Sequence, residues 1–343
     1  MDTMHPSQPD LFNAIRNAKQ CVLDPVLQNC VSRKKKTKPT EPLMFSGAYS
    51  CVFAFDGPNN TKYALRCWHT EIGDQKLRYK LIHDYLTKVK LPYFINFQYV
   101  EQGIIARSAR RDVVRMEWRE EPKLKVYIKD NLMNPSKLDD LSSNFLSMFK
   151  ALHNHQISHG DLQHENILVN KAGEIILIDY DSLYTPSMGA MPDIVKGLPG
   201  YQHPSRLTKC KQSSVHVDYF SELVIYLSIR ALAERPALWK EYDVEKSEDL
   251  LFISKDIASP SGGTIFKVLK TMSKEIQGLT DQLIAYCNAT DLHNFKPFED
   301  TYTSVADEII AKLPKLPPRP APPQDPDASE DIISKLRNFK TKK

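Results

Sequence analysis

Two short runs near the start of the chain alternate in a way that predicts a pair of β-strands. Residues 49–55 and 61–68 are rich in aromatic and β-branched side chains. They are separated by the turn-forming residues Gly57, Pro58, Asn59 and Asn60. Because side chains alternate between the two faces of a strand, the second run places Arg66 on the same face as Ala64 and Trp68. The sequence therefore predicts a hairpin in which Arg66 projects beside an alanine.

The apolar spacing changes to a helical period further along the chain. The pattern predicts a helix over residues 75–88 and further strands over 104–107 and 113–118. A second helix is predicted over 139–153, where apolar residues recur at Leu141, Phe145, Phe149 and Leu152. Residues 218–232 are almost wholly apolar, so their predicted helix has to be buried on most sides. A small part rich in strands is thus followed by a larger helical part.

Both ends of the chain differ in composition from the part between them. Residues 1–42 are largely polar, which is typical of an arm or linker. They contain a basic run made of Arg33, Lys34, Lys35, Lys36 and Lys38. We interpret this run as a solvated face rather than a contact for nucleic acid or anionic lipid. Residues 314–343 begin with a stiff spacer of seven prolines and end in a basic segment, 332–343. The packed domain is expected over residues 43–313.

Composition excludes several classes of protein. With 343 residues, 41% of them hydrophobic, the chain is long enough and apolar enough to build a sizeable core. The formal charge of +4 gives no indication of nucleic acid as a partner. The six cysteines are scattered, which argues against a disulfide or zinc framework. The longest apolar stretch, 223–233, is interrupted by Arg230 and too short to span a membrane. We therefore expect a soluble cytoplasmic protein without a secretory signal.

The strongest chemical signal is a carboxylate, an amide and a second carboxylate at fixed spacing. Asp161 lies in the segment His-Gly-Asp-Leu-Gln-His-Glu-Asn, which ends at Asn166. Asp179 follows at the end of a run of isoleucine and leucine. One carboxylate can accept or orient a hydroxyl proton, while the amide and the other carboxylate hold Mg²⁺ against phosphates. This spacing therefore favours phosphoryl transfer.

These motifs resemble the protein-kinase-like superfamily, whose catalytic loop reads H-R-D-L-x-x-x-N and whose metal motif reads D-F-G. The match covers residues 159–166 and 178–181. Residues 197–204 resemble the end of a kinase activation segment, and 217–221 the element whose aspartate anchors the catalytic loop. Residues 116–118 look like the gatekeeper and hinge. Bacterial kinase-like proteins with an H-G-D-L-Q-H-x-N loop are the nearest relatives that the resemblance suggests.

The resemblance implies a bilobal α+β fold, with a small antiparallel-sheet N-lobe and a larger, mainly helical C-lobe. It places an N-terminal extension at 1–42, the N-lobe and hinge at 43–119, and the C-lobe at 120–313. A proline-rich spacer and a basic tail then occupy 314–343. The implied partners are ATP and a protein, either as substrate or as a regulatory partner, with neither a membrane nor nucleic acid.

The same resemblance implies roles for individual residues. Asp161 is the base or hydroxyl orienter, Arg66 steadies the phosphates, and Asn166 and Asp179 hold Mg²⁺ or Mn²⁺. These catalytic residues are accompanied by a wider set expected to bind ATP, namely Gly47, Val52, Ala64, Arg66, Met116, Glu117, Arg119, Asn166 and Asp179.

The part of the chain that would grip phosphates departs from the family pattern. Only Gly47 remains of the three glycines in G-x-G-x-x-G-x-V, which sits over residues 45–52. Arg66 stands where the family has a lysine, and a planar guanidinium is not equivalent to an ammonium. The sequence does not identify its acidic partner, which the family has on the next helix; the acids between Arg66 and Leu91 are Glu71, Asp74 and Asp84.

Three further departures lie in the catalytic and metal motifs. Gln163 replaces a lysine near the transferred phosphoryl group. Gly160 replaces the loop arginine, so regulation by phosphorylation of the activation segment is not expected. Asp181 replaces the glycine of D-F-G, either as a turn carboxylate or as an extra metal ligand.

Three functions remain open on the sequence alone. The first is an ATP-dependent protein kinase acting on serine or threonine. The second is a pseudokinase that binds a partner with weak or no catalysis, which the altered glycine loop, Arg66 and Gln163 favour. The third is a small-molecule kinase of the aminoglycoside or choline type, whose motifs are similar. A zinc site on His153, His155, His159 and His164 is disfavoured by their spacing.

Overall fold

The structure is a computed structural model in which residues 5–300 are described. The proline-rich spacer and basic tail predicted for 314–343 lie outside the described residues, as does the end of the predicted C-lobe, 301–313. The elements below therefore refer to residues 5–300 alone.

Most of the strands lie in the first part of the described chain, and the strands pair in antiparallel fashion. The strands are β1 (Val31–Ser32), β2 (Lys34–Lys35), β3 (Lys38–Pro42), β4 (Met44–Ser46), β5 (Ser50–Asp56), β6 (Lys62–Trp68), β7 (Phe97–Ala106), β8 (Ala109–Glu117), β9 (Ile167–Val169) and β10 (Ile175–Leu177). The main sheet has the order β1-β5-β6-β8-β7, with β4 also paired to β5. β2 pairs with β3 and β9 with β10 in two small sheets. The predicted hairpin is confirmed as β5 and β6.

Most of the helices of the described chain follow β8. The helices are α1 (Gln8–Arg16), α2 (Ala18–Cys21), α3 (Gln75–Val89), α4 (Leu124–Asn131), α5 (Pro135–Asn154), α6 (Pro204–Thr208), α7 (Tyr219–Glu234), α8 (Leu238–Glu241), α9 (Ser254–Ala258), α10 (Thr264–Leu269) and α11 (Lys274–Asn288). The three predicted helices are confirmed as α3, α5 and α7. Helix α7 is buried except at Arg230 and Glu234, because α5 and α11 pack against it. The fold is the predicted α+β arrangement, a small sheet lobe followed by a larger helical lobe.

Residues 5–42 do not form the arm or linker that their polarity predicts. Helix α1 buries Leu11 and Ile15 completely, in one apolar cluster with Phe53 and Leu65 of the main sheet. Strand β1 then pairs with β5 and extends that sheet. The arm interpretation is therefore wrong for this part of the chain, because a short apolar stripe on α1 covers one face of the sheet.

The basic run takes part in this N-terminal structure through ion pairs. Arg33 lies 2.6 Å from Asp56 and 3.0 Å from Glu120, measured between side-chain nitrogen and oxygen atoms. Lys35 pairs with Glu41 at 2.9 Å across the β2–β3 hairpin. Part of the basic run is thus neutralised within the chain.

The other face of the main sheet packs against the helical lobe. Ala64, Trp68 and Met116 belong to an apolar cluster that continues through Leu168 into the C-lobe helices. Arg66 shares this face, as strand alternation predicts, and is only 5% exposed. Its guanidinium therefore reaches groups of the other lobe instead of solvent.

Candidate active site

The loop between α5 and β9 is shaped by a glycine and by a buried aspartate. Gly160 has a φ of +79°, and a Cβ built on it would overlap the carbonyl oxygen of Ser182. Asp218, 1% exposed at the start of α7, accepts hydrogen bonds from the backbone N–H groups of His159 and Gly160. The predicted anchoring of this loop by the aspartate at 218 is confirmed.

Hydrogen bonds from His159 join this loop to the end of β10. Its Nε2 donates to the carbonyl of Ile178 at 2.9 Å, and its Nδ1 accepts from the backbone N–H of Asp161 at 3.3 Å. The backbone N–H of Ile178 in turn donates to the carbonyl of Asn166 at 3.0 Å. Two segments that are separate in sequence are thereby brought side by side, with Asp179 immediately after the contact.

Asp161 and Asn166 are in direct contact. The Asn166 Nδ2 donates to the Asp161 carboxylate and to its backbone carbonyl, each at 2.9 Å. Gln163 Nε2 lies 3.4 Å from both carboxylate oxygens. Burial, together with the negative charge of Asp179, raises the pKa of Asp161 to about 6. The group is therefore a carboxylate at neutral pH whose proton affinity suits a general base.

Arg66 brings a positive charge to the metal-motif aspartate. Its Nη1 lies 2.8 Å from Asp179 Oδ1. The side chain of Asp179 remains 36% exposed, so part of its carboxylate is open to the cleft. Burial raises the pKa of Asp179, but the charge and hydrogen bond of Arg66 outweigh burial and hold it below its usual value. Asp179 has a φ of 71°, a backbone conformation that is strained for a non-glycine residue and is frequent at functional sites.

The acidic partner of Arg66 is Asp181, which sequence reasoning did not identify. The Arg66 Nη2 forms an ion pair with the Asp181 carboxylate, which is buried. The Tyr79 hydroxyl of α3 donates to the other Asp181 oxygen at 2.6 Å. None of the acids Glu71, Asp74 and Asp84 takes this position, and all three are exposed. The signal available in the sequence was the pair of carboxylates two positions apart at the end of β10.

The residues expected around the adenine and phosphates lie on neighbouring strands. Ala64 and Met116 are directly opposite each other on β6 and β8, and both are buried. Val52 is opposite Arg66 on β5. These side chains are therefore grouped along the part of the main sheet next to the Arg66 charge.

The remaining expected ATP contacts lie at the rim of this region. Gly47 is exposed in the turn between β4 and β5, and a Cβ there would have only Ser50 O nearby, at 3.6 Å. Glu117 ends β8, and its carboxylate pairs with Arg119 at 2.8 Å. Arg119 also pairs with Glu121 at 2.6 Å. The turn at Gly47 does not need a glycine for steric reasons, unlike the loop at Gly160.

The segment after β10 returns to the carboxylate of Asp161. Gly197 has a φ of +72°, and a Cβ built on it would overlap Asp161 Oδ1. Upstream, Asp193 forms two hydrogen bonds with the fully buried Arg206 of α6, at 3.0 and 2.9 Å. An internal ion pair therefore holds this segment close to Asp161.

The donor set fits a divalent cation. The carboxylates of Asp179 and Asp181 pair with the single guanidinium of Arg66, and the negative charge of Asp179 also acts on the carboxylate of Asp161. Asn166 uses its amide nitrogen for Asp161, so its Oδ1 atom is the one left for a metal. Mg²⁺ uses one or two protein oxygens together with phosphate oxygens and water. Asn166 and Asp179 are thus suitable ligands.

The four histidines considered for zinc do not converge. His153 instead lies between two buried carboxylates, with Nε2 at 2.9 Å from Glu222 and Nδ1 at 2.6 Å from Glu299. Within residues 5–300, these three side chains are the group whose potential ligand atoms approach one another within 4.8 Å. Each ring nitrogen contacts one of these carboxylates, so the imidazolium form of His153 can donate one N–H to Glu222 and the other to Glu299.

We expect His153 to make the stability of the C-lobe depend on pH. Burial lowers its pKa, but Glu222 and Glu299 outweigh burial and raise it from 6.5 to about 10. The stabilisation by the His153 imidazolium is therefore lost as the pH rises from 6.5 through about 10. The difference in free energy of unfolding between wild type and His153→Gln should therefore shrink over this window, by at most about 1.4 kcal/mol per pH unit.

Urea unfolding at a series of pH values measures this difference. Asn154→Ala, at the exposed neighbouring position, is the control and should follow the wild-type pH profile. A constant difference between His153→Gln and wild type from pH 6.5 to 10 would contradict the bridging role of the imidazolium.

Comparison with known proteins identifies the family. A family model described as protein kinase domain matches residues 43–292, which is well over half of the chain. No curated protein matches the chain, so the likeness to bacterial kinase-like proteins stays a prediction. No helix within residues 5–300 combines the length and apolar character that crossing a membrane requires.

Proposed function

The chain belongs to the protein kinase family, and from that membership we propose that it transfers the γ-phosphoryl group of ATP to serine or threonine of a protein. The observation that carries the proposal is the joint placement of Asp161, Asn166 and Asp179 beside Arg66. The family consists of kinase-like phosphotransferases that use ATP. The departures at Gly47 and Arg66 change how phosphates are gripped, and they leave the base and the metal ligands in place.

The proposed reaction assigns one task to each group. Asp161 orients the acceptor hydroxyl and takes its proton as the hydroxyl oxygen bonds to the γ-phosphorus. The bond between that phosphorus and the β–γ bridging oxygen breaks, and ADP leaves with the electron pair. Arg66 offsets the negative charge of the phosphates, while Asn166 fixes the Asp161 carboxylate through its 2.9 Å hydrogen bond.

A bound Mg²⁺ or Mn²⁺ would neutralise phosphate charge and orient the γ-phosphoryl group. Asn166 and Asp179 are the side chains that would hold it. Since Asp179 is also paired with Arg66, its carboxylate is kept ionised and ready to bind the cation.

Transfer of label from ATP tests the proposal. The purified protein is incubated with γ-labelled ATP, a generic protein acceptor and either Mg²⁺, Mn²⁺ or EDTA, beside the Asp179→Asn variant. We expect label on serine or threonine with either metal, and none with EDTA or with the variant. Equal labelling by wild type and variant would identify a contaminating kinase and remove the support for this function.

The pseudokinase alternative has two observations in its favour. Arg66 is engaged by two carboxylates at once, and the turn above it retains only Gly47 of the usual glycines. A binding module of this kind would use the fold to hold a regulatory partner. A thermal shift with Mg-ATP separates the two functions in part, because a ligand that binds the folded state raises its melting temperature. No shift at millimolar nucleotide would favour the pseudokinase.

We also propose a cytoplasmic location. The six cysteines are free thiols, at Cys21, Cys30, Cys51, Cys67, Cys210 and Cys287. Such usage is typical of proteins from a reducing compartment. The proposed partners are accordingly ATP and a protein of the same compartment.

A further inference from the structure

We propose that Asp181 is the positioning residue for Arg66, and that Tyr79 fixes Asp181 from helix α3. This inference rests on the proposed function, since it concerns how the phosphate-binding cation is held. In this chain the segment 179–181 supplies the carboxylates that hold Arg66, and no acidic residue of α3 does so.

The buried guanidinium requires a permanent counter-charge. Arg66 is 5% exposed and pairs with Asp179 and Asp181 through different nitrogens. An arginine guanidinium is effectively always protonated in proteins, so the side chain stays charged. An unpaired buried charge is strongly destabilising. Without nucleotide, at least one of the two carboxylates must therefore remain paired with Arg66.

Asp181 is better suited to this task than Asp179. The side chain of Asp179 is 36% exposed, and it is the carboxylate that would bind the metal when nucleotide arrives. The side chain of Asp181 is 3% exposed, and its second oxygen is already taken by Tyr79. Binding of a metal by Asp179 thus leaves Asp181 as the fixed partner of the guanidinium.

Tyr79 of α3 donates a neutral hydrogen bond to Asp181. The family pattern instead has an acidic residue on this helix, which would pair with the strand cation directly. The Tyr79 ring is 1% exposed and packs edge-on against Trp68 and Phe97, with ring centroids 5.5 and 5.7 Å away. Burial and the charge of Asp181 raise the pKa of the Tyr79 hydroxyl well above its usual value, so it remains a donor. Helix α3 is therefore joined to the site by a hydrogen bond to Asp181, and the orientation of Arg66 depends on the 179–181 turn.

Moving the carboxylate partner of Arg66 from position 181 to position 79 of α3 tests this arrangement. Asp181→Gly alone should reduce kcat/KM for ATP by about 10- to 100-fold, the range seen when an outer-shell partner is lost. The double variant Tyr79→Glu with Asp181→Gly returns an acid to Arg66 from α3, and should recover about tenfold of that loss. Tyr79→Phe should reduce kcat/KM by about fivefold, the value of one hydrogen bond.

The kinetic signature separates positioning from a general loss of structure. The KM for ATP should rise in Asp181→Gly while the KM for the protein acceptor stays within about twofold. Asp84→Asn removes an exposed acid of the same helix and serves as the matched control, with kcat/KM within about twofold of wild type. Equal loss in Asp181→Gly and in the double variant would overturn the proposal.

A measurement that does not require catalysis tests the pairing of Arg66 with Asp181 independently of the proposed function. Urea unfolding of Arg66→Met, Asp181→Asn and the combination gives a double-mutant cycle. We expect Asp181→Asn to shift the unfolding midpoint of the Arg66→Met variant by less than half of the shift that it causes in wild type. Additive shifts would refute the pairing of Arg66 with Asp181. Absence of both labelling and nucleotide binding in wild type would instead remove the proposed function, and the cycle would still decide the pairing.

Discussion

Asp161→Asn is expected to lower the rate of phosphoryl transfer by about 10²- to 10⁴-fold, the contribution of a positioned general base. Asparagine has nearly the same size and can still accept the hydrogen bond that Asn166 donates at 2.9 Å. It cannot take up the hydroxyl proton. The loss should therefore appear in kcat, while the dissociation constant for Mg-ADP, measured by calorimetry, stays within about threefold of wild type.

The pH dependence of wild type gives a second check on the same group. Because the pKa of Asp161 is raised to about 6, kcat/KM should fall as the pH drops below that value and the carboxylate becomes protonated. Asp140→Asn, an exposed carboxylate of α5, is the control and should keep wild-type activity. Full transfer by Asp161→Asn at neutral pH would show that another group, or another protein in the preparation, performs the reaction.

Gly160→Ala is expected to have the second largest effect, through the backbone of the catalytic loop. At a φ of +79°, alanine is strained by about 1–2 kcal/mol. Its Cβ would also overlap the carbonyl oxygen of Ser182, which is backbone and cannot rotate away. The loop must shift to relieve this contact, and the hydrogen bonds from His159 and Gly160 to Asp218 would be disturbed. Transfer should fall by about 100-fold, as expected when reacting groups are displaced by about 1 Å.

Gly189→Ala provides a matched control for this substitution. Gly189 also has a positive φ, of +58°, but a Cβ there meets nothing within 4 Å. Gly189 has a ψ of −131°, outside the left-handed helical region, so alanine is strained there by the backbone alone. Urea unfolding should therefore show a loss for both variants, whereas transfer should fall in Gly160→Ala and stay near wild type in Gly189→Ala. Equal losses, with transfer intact in both variants, would mean that the overlap with Ser182 is relieved without moving the catalytic loop.

The constraint on Gly160 also explains one departure from the family pattern. An arginine at this position would need a Cβ where Ser182 O lies. The segment after β10 is held instead by the buried pair of Arg206 and Asp193. The chain therefore positions this segment with its own charges, consistent with the expectation that phosphorylation of the segment is not needed.

The sequence contains a pattern that predicts helix α1, but the polar composition of residues 1–42 concealed it. Helix α1 carries Leu11, Ala14 and Ile15 on one face, at the spacing that marks an amphipathic helix. Ser7 and Asp10 form a capping box at its start, with hydrogen bonds in both directions. The mean composition of residues 1–42 hid these three apolar positions. A search for caps would have predicted the helix, although not the sheet face that it covers.

The sequence by itself indicated the β5–β6 hairpin, the helices α3, α5 and α7, and the residues of the candidate site. The alternation along β6 put Arg66 on the cleft face beside Ala64, and the spacing of Asp161, Asn166 and Asp179 indicated phosphoryl transfer. These are local properties, because side-chain period and motif spacing act over a few residues. The side-chain alternation and the motif spacing are therefore the same in the folded structure as in the sequence.

Only the tertiary structure decided which residues, distant in sequence, pair with Arg66 and with His153. Arg66 and Asp181 are 115 positions apart, and Tyr79 and Asp181 are 102 apart. His153 meets Glu222 and Glu299 through the packing of α5 against α7 and the segment near residue 299. Such pairs depend on how lobes and helices pack, and a buried charge accepts whichever opposite charge that packing places within reach. No period or spacing along a single chain records that choice.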